Sequence, residues 1–205
     1  MKAFALTNFD SPPAITDLPT PDPGPGQVRI RVRAAALNGI DVAVSSGLMR
    51  SMVDYRFPVV TGVDASGVVD AVREGVTGIS IGDEVLGHYA FGSELHHGTL
   101  AEHALLTADA TVVKPASLAF TEAAALPLAG SAALKAVEAV DLQPGETVLI
   151  AGAGGGVGSF AIQLARATGA TVRAVIAGAQ SKSVRANAFI RSPFNGAPFP
   201  SRFGH

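Results

Sequence analysis

Residues 151 to 158 read Ala151-Gly152-Ala153-Gly154-Gly155-Gly156-Val157-Gly158. What flanks this run narrows the possible folds more than any other stretch of the chain. Before it, Thr147-Val148-Leu149-Ile150-Ala151 is unbroken and apolar, the pattern of a strand buried on both faces. After it, Ser159 to Thr168 places Phe160, Leu164 and Ala165 on one helical face and stops at Gly169. Thr171 to Ile176 then reads as a second buried strand. Strand, glycine turn, helix and strand together make one right-handed βαβ unit of a parallel sheet.

Within the turn, Gly152, Gly155 and Gly158 recur every third residue. The spacing is not G-x-G-x-x-G, because Val157 stands where the last glycine would fall. The physical demands are nevertheless the same. A tight turn must leave the strand, the backbone must approach a pyrophosphate, and the helix must pack close to the strand. Gly152, Gly155, Gly156, Val157 and Gly158 are therefore the candidate cofactor-binding residues, with the pyrophosphate on the helix amino terminus. An acid after the second strand would hold the ribose 2′-hydroxyl of NAD. Here Val175-Ile176-Ala177-Gly178 carries none, and Ser181 and Lys182 follow, a pairing that suits the 2′-phosphate of NADP. Lys182 also reads as an ordinary surface lysine.

The preceding part differs in character. Prolines 12, 13, 19, 21, 23 and 25 make the opening segment extended and turn-rich. Val28-Arg29-Ile30-Arg31-Val32-Arg33 alternates as a half-buried strand, with the valines and Ile30 inward and the arginines on a solvated face. Short apolar runs split by glycine continue to Thr111-Val112-Val113-Lys114-Pro115, predicting a small β-rich barrel or sandwich over 1–115. Phe120 to Val140 turns alanine- and leucine-rich, and Ser131 is placed to cap a helix carrying Leu134, Val137 and Val140. The formal net charge of −2 gives no basic excess for nucleic acid or an anionic membrane. No apolar run is long enough to span a bilayer, and the amino terminus lacks a signal pattern; a cytoplasmic setting is expected. The absence of cysteine excludes disulfides, thiolate metal sites and cysteine nucleophiles. His88, His96, His97 and His103 lack metal-ligand spacing, so no metal is expected.

Several blocks, collinear from residue 1 to about 176, resemble the medium-chain dehydrogenase/reductase superfamily. They are Met1-Lys2-Ala3, Gly24-Pro25-Gly26-Gln27-Val28, Ala34 to Asp41, Phe57 to Gly67, Gly82-Asp83-Glu84-Val85, Gly98 to His103 and Ala124 to Gly130. The resemblance implies an α/β protein in which a GroES-like β-rich domain is followed by a Rossmann domain, a doubly wound parallel sheet. Asn38 stands at the position of the first zinc-ligating cysteine and Val63 at that of the histidine. The chain is thus similar to the zinc-free, quinone oxidoreductase-like branch, which includes enoyl reductases. There Asn38 would orient the substrate carbonyl or the nicotinamide amide. Asp41 is better read as holding a turn. The implied reaction is hydride transfer from NADPH to a quinone or an α,β-unsaturated carbonyl, a small-molecule substrate. One departure is Ala132, with Ser131 beside it, where relatives often carry threonine.

From Gly178 onward the resemblance stops: the segment has no acid, carries Lys182, Arg185, Arg191 and Arg202, and scatters Phe and Pro. The expected organisation is a GroES-like domain over 1–115, a partial, incomplete Rossmann domain over 116–177, and a divergent, disordered tail over 178–205. A chain with so much of its sheet missing is expected to be truncated and open to homo-oligomerisation through exposed strand edges. Three functions stay open: an active reductase, a catalytically inactive remnant, and a binding or regulatory module built on the β-rich domain.

Overall fold

The computed structural model describes residues 1–89, 94–175 and the strand at 188–192. It divides into two compact units, Met1–Leu128 and the chain from Ala129 onward. Among the described residues no helix is long and apolar enough to cross a membrane.

The first unit is built on a five-stranded sheet. Its strands are β3 (Gln27–Ala36), β6 (Asp64–Val72), β7 (Glu84–His88), β9 (His103–Thr107) and β10 (Thr111–Val113). They run in the order β10-β7-β6-β3-β9, all antiparallel. The expected alternation holds on its inner face: Val28 and Ile30 are fully buried, and they pack with Ala65, Val69, Val85 and Leu106. Val32 lies partly buried at the margin of that cluster. β1 (Lys2–Leu6) sits between β2 (Ala14–Asp17) and β5 (Val59–Val60) in a second sheet. β4 (Asp54–Tyr55) and β8 (Glu94–Leu95) form a two-stranded pair. The short helix α1 (Gly39–Ser45) follows β3 directly.

Of the three arginines expected in solvent, Arg29 departs. Its guanidinium donates to Asp70 Oδ1 at 2.8 Å, and the Asp70 carboxylate also meets His103 Nε2 at 3.2 Å. Adjacent strands β6, β3 and β9 bring these residues together, which the alternation pattern alone does not show. His103 opens β9.

The boundary expected at Pro115 moves to Leu128. Helix α2 (Phe120–Ala124) buries Ala123 and Ala124 completely. Ser66 Oγ donates to Phe120 O at 2.6 Å, and Lys114 Nζ donates to Leu118 O at 2.7 Å. The Lys114 ammonium lies 5.0 Å from the Phe120 ring centre. Residues 116–128 therefore belong to the first unit, with Ala123 and Ala124 in its core.

Helix α3 runs Pro127–Val140, so Ser131 lies inside it and does not cap it. Proline suits the first helical turn, where its missing N–H is one of the donors left unpaired anyway. β11 (Thr147–Ala151), α4 (Gly156–Ala167) and β12 (Thr171–Val175) realise the βαβ unit, with β11 and β12 parallel in the register Val148↔Val172 and Ile150↔Ala174. Val148 and Ile150 are fully buried with Ala133, Val137, Ala161 and Ala165, whereas Leu149 is only half-buried. β11 is thus fully covered on one face and only partly on the other. β12 is further from expectation: Thr171, Arg173, Ala174 and Val175 are exposed. It is the edge of a three-stranded sheet ordered β12-β11-β13, where β13 is Ala188–Ser192. The disordered tail expected over 178–205 needs correction at β13, which pairs antiparallel with β11. An antiparallel neighbour needs no crossover helix, and β13 ends immediately before Pro193, where a ladder donor would be lost.

Candidate functional site

The glycine turn is a close-packed structure. Gly152 leaves β11 with φ +76°, a conformation that side chains disfavour. Its N–H and that of Ala153 donate to Val175 O at 3.0 and 3.1 Å, which ties the turn to the end of β12. Gly155 caps α4 in an extended conformation, and Gly156 opens the helix. A Cβ on Gly158 would collide with Gly152 O and lie 2.7 Å from Ala153 Cα. A Cβ on Gly155 would only touch Gly152 O, at 3.4 Å. Gly158 is therefore needed for helix-to-strand packing, while Gly155 keeps the outer backbone bare. Ser159 N–H is bonded to Gly155 O at 2.9 Å. The N–H groups of Gly156, Val157 and Gly158 precede it and have no acceptor within the helix. Together with the helix dipole they make a seat for an anion. The structure thus gathers Gly152, Gly155, Gly156, Val157 and Gly158 on one turn, and its bare backbone fits a dinucleotide pyrophosphate. Ser181 and Lys182 lie outside the described residues.

Asn38 belongs to the first unit, at the amino cap of α1. Its backbone N–H donates to Asp41 Oδ2 at 2.7 Å, so Asp41 holds the turn as its spacing suggests. Its side chain points to a residue that sequence reasoning missed. Asn38 Nδ2 donates to Asp64 Oδ2 at 3.0 Å, and Leu128 N–H donates to the same oxygen at 3.2 Å. The register of β3 on β6 sets Ala36 opposite Asp64, which brings the carboxylate beside the loop that follows β3. A signal was present: Asp64 is a lone acid in the otherwise apolar and small stretch Val63 to Val69.

Asp64 is fully buried and Asp41 nearly so. Burial holds the Asp64 carboxyl above the ordinary carboxylate range, opposed by hydrogen bonds from Asn38 and Leu128 and by His88. Burial likewise raises Asp41, opposed by the Asn38 N–H and reinforced by Asp64. Both groups bind protons more tightly folded than unfolded. Their ionisation therefore weighs against the fold above their folded pKa values, and that penalty fades as the pH falls through those values toward the usual 3.8. Of the two tyrosines, Tyr55 donates its hydroxyl to Val44 O at 3.0 Å. Among the described residues no group of three or more His, Cys, Asp or Glu side chains is arranged to hold a metal ion.

Residues 24–116 match the alcohol dehydrogenase GroES-like domain. The chain is 37% identical over 172 residues to a 2-methylene-furan-3-one reductase of Solanum lycopersicum, covering 81% of this chain and 44% of that protein. Its structure is similar to that of a quinone oxidoreductase from Coxiella burnetii, with a TM-score of 0.74, 35% identity and coverage of 85% of this chain and 56% of that one. The chain is similar to members of the medium-chain dehydrogenase/reductase superfamily, and its residues 24–116 carry their GroES-like domain. A further member, the quinone oxidoreductase of Thermus thermophilus, whose structures include a complex with NADPH, matches with a TM-score of 0.70 and 30% identity over 88% of this chain and 55% of that one. The chain spans about half the length of these superfamily members. These relatives are oxidoreductases by name, and the chain's GroES-like domain with a partial parallel sheet corresponds to about half of their fold.

Proposed function

We propose that this chain serves an NADPH-dependent, zinc-independent reduction in which a hydride passes to a quinone or an α,β-unsaturated carbonyl compound. The observation that carries the reading is the glycine turn, where Gly158 admits the helix against the strand and three N–H groups of the first helical turn have no acceptor within the helix. Those N–H groups would hold the pyrophosphate, and the Asn38 amide would orient the substrate carbonyl or the nicotinamide amide. When bound, NADPH supplies the hydride from C4 of its nicotinamide; the protein supplies position. The name of the tomato relative and those of the quinone oxidoreductases support an acceptor with an electrophilic carbon conjugated to a carbonyl.

Preference for NADPH rests on the missing acid after Val175 and on Ser181 and Lys182 in the following sequence. Fluorescence titration with both cofactors is expected to show NADPH binding at least ~10-fold tighter, about 1.4 kcal/mol. Equal or tighter NADH binding would remove that part of the reading.

Zinc independence rests on Asn38 and on Val63, which is 2% exposed and packed in the core, at the positions of the zinc ligands. Metal analysis of dialysed protein should find far less than one zinc per chain. A stoichiometric zinc whose removal by chelator abolishes turnover would overturn it.

The exposure of β12 favours a second reading, in which the chain turns nothing over and keeps its β-rich unit for binding or regulation. Turnover of a quinone or enone with NADPH separates the two.

A further inference from the structure

Asp64 is costly to the fold in a way that its local structural role does not explain. It is fully buried, and while Oδ2 accepts two hydrogen bonds, Oδ1 is buried with no partner. Burying a carboxyl with one oxygen unsatisfied disfavours folding. A neutral side chain of similar shape would cap Leu128 N–H as well and bury more easily. What such a side chain would not do as strongly is orient Asn38. A carboxyl oxygen 3.0 Å from Asn38 Nδ2 accepts an N–H but repels a carbonyl oxygen, so it fixes which end of the amide faces it. The attachment is itself rigid. Asp64 opens β6 opposite Ala36, and its own carbonyl accepts Thr99 Oγ1 at 3.0 Å.

We propose that Asp64 is a positioning residue: it locks the Asn38 carboxamide in one rotamer and one amide orientation, and through Leu128 N–H it ties that amide to the first turn of α3. The proposal rests on the reading of Asn38 as the substrate- or nicotinamide-orienting amide. In that reading, a free amide could present either its oxygen or its nitrogen to the reacting partner, whereas the locked one presents a fixed donor and acceptor. Asp64 acts on the reaction only through Asn38.

The test uses the full chain labelled with 15N-asparagine, with the Asn38 side-chain signals assigned by their loss in Asn38→Ser. In the wild type, one Nδ2 proton should be shifted downfield, exchange slowly, and move with pH as the Asp64 carboxyl titrates. His88, paired across from Asp64 on β7, and Asp41 on α1 are the other titratable groups nearby. Asp64→Asn retains an acceptor oxygen and should keep the amide ordered while abolishing the titration. In Asp64→Ala the two Asn38 protons should collapse toward free-amide positions. With NADPH and an enone, Asp64→Ala should lose about 10- to 100-fold in kcat, the cost of a misplaced orienting group, with KM for NADPH little changed and partial recovery in Asp64→Asn.

Unchanged Asn38 signals in Asp64→Ala would overturn the proposal. So would a loss of kcat that Asp64→Asn fails to rescue while its Asn38 amide stays ordered. If Asp64→Ala does not fold, Asp64→Asn against wild type decides through the titration of the Asn38 proton. A wild-type chain that binds NADPH but turns over no acceptor counts against the proposed function, and the spectroscopic arm still decides whether Asp64 locks Asn38.

Discussion

Gly158→Val is expected to abolish NADPH binding and to destabilise the second unit, whereas Gly155→Ala should leave stability near that of the wild type. The added Cβ at Gly158 would collide with Gly152 O and sit 2.7 Å from Ala153 Cα and 2.9 Å from Gly152 C. All three atoms are backbone and none can rotate away. Overpacking of this kind costs about 1–3 kcal/mol even for one methyl group, so Gly158→Ala should lower the melting temperature and valine should do so more severely. Relief requires α4 to move off β11, which would pull the free N–H groups out of line with any bound pyrophosphate. At Gly155 the added Cβ would lie 3.4 Å from its nearest neighbour, ordinary contact. A methyl there should therefore act on ligand approach and not on folding. Circular dichroism melts with NADPH titrations check both variants. A Gly158→Ala protein with unchanged melting and affinity would show that the close approach is not required. A Gly155→Ala protein that melts normally but binds weakly would locate the cofactor at the cap.

A fragment of residues 1–128 is expected to fold cooperatively, and one of residues 1–115 is not. The shorter fragment discards Ala123 and Ala124, both fully buried, along with the Leu118 and Phe120 carbonyls that satisfy Lys114 and Ser66. It also removes Leu128 N–H from Asp64. Each buried polar group left without its partner costs about 1–3 kcal/mol. Ser66 loses its acceptor outright, while Lys114 keeps Glu84 and Pro115 O and Asp64 keeps Asn38; with the burial of Ala123 and Ala124 also lost, the total takes a substantial share of the roughly 5–15 kcal/mol that a domain possesses. Urea unfolding followed by circular dichroism separates the outcomes through the midpoint and the steepness of the transition. Equal midpoints for the two fragments would mean that α2 and its contacts contribute nothing to this core.

Much of the fold was legible because it is written in local periodicity. Val28 and Ile30 alternate with charged residues and are buried; Thr147 to Val175 reads as strand, turn, helix and strand and folds so. The glycine turn was legible for the same reason, since its constraint lies within seven consecutive residues, Gly152 to Gly158. Asp41 was legible too, because a capping contact spans only three positions.

What remained hidden depends on pairing between distant segments. Asn38 and Asp64 stand 26 residues apart, and only the register of β3 on β6, with its irregularities between Arg29 and Ile30 and between Val32 and Ala34, sets them side by side. A slip of one residue would turn Asp64 to the other face of the sheet. The exposure of β12 was misjudged because an apolar run shows that a strand could be buried, not whether anything covers it. The boundary at Leu128 was missed because α2 is short and is assigned by its packing on the β-rich unit, not by its composition. The sequence by itself determined the strand, turn, helix and strand order over 147–175, the inward face of β3 and the bare backbone of the glycine turn, since each follows from the conformations open to neighbouring residues. Only the tertiary structure decided which carboxylate faces Asn38, where the first unit ends and which strand stands at the edge, because those depend on contacts that exist only after distant strands have paired.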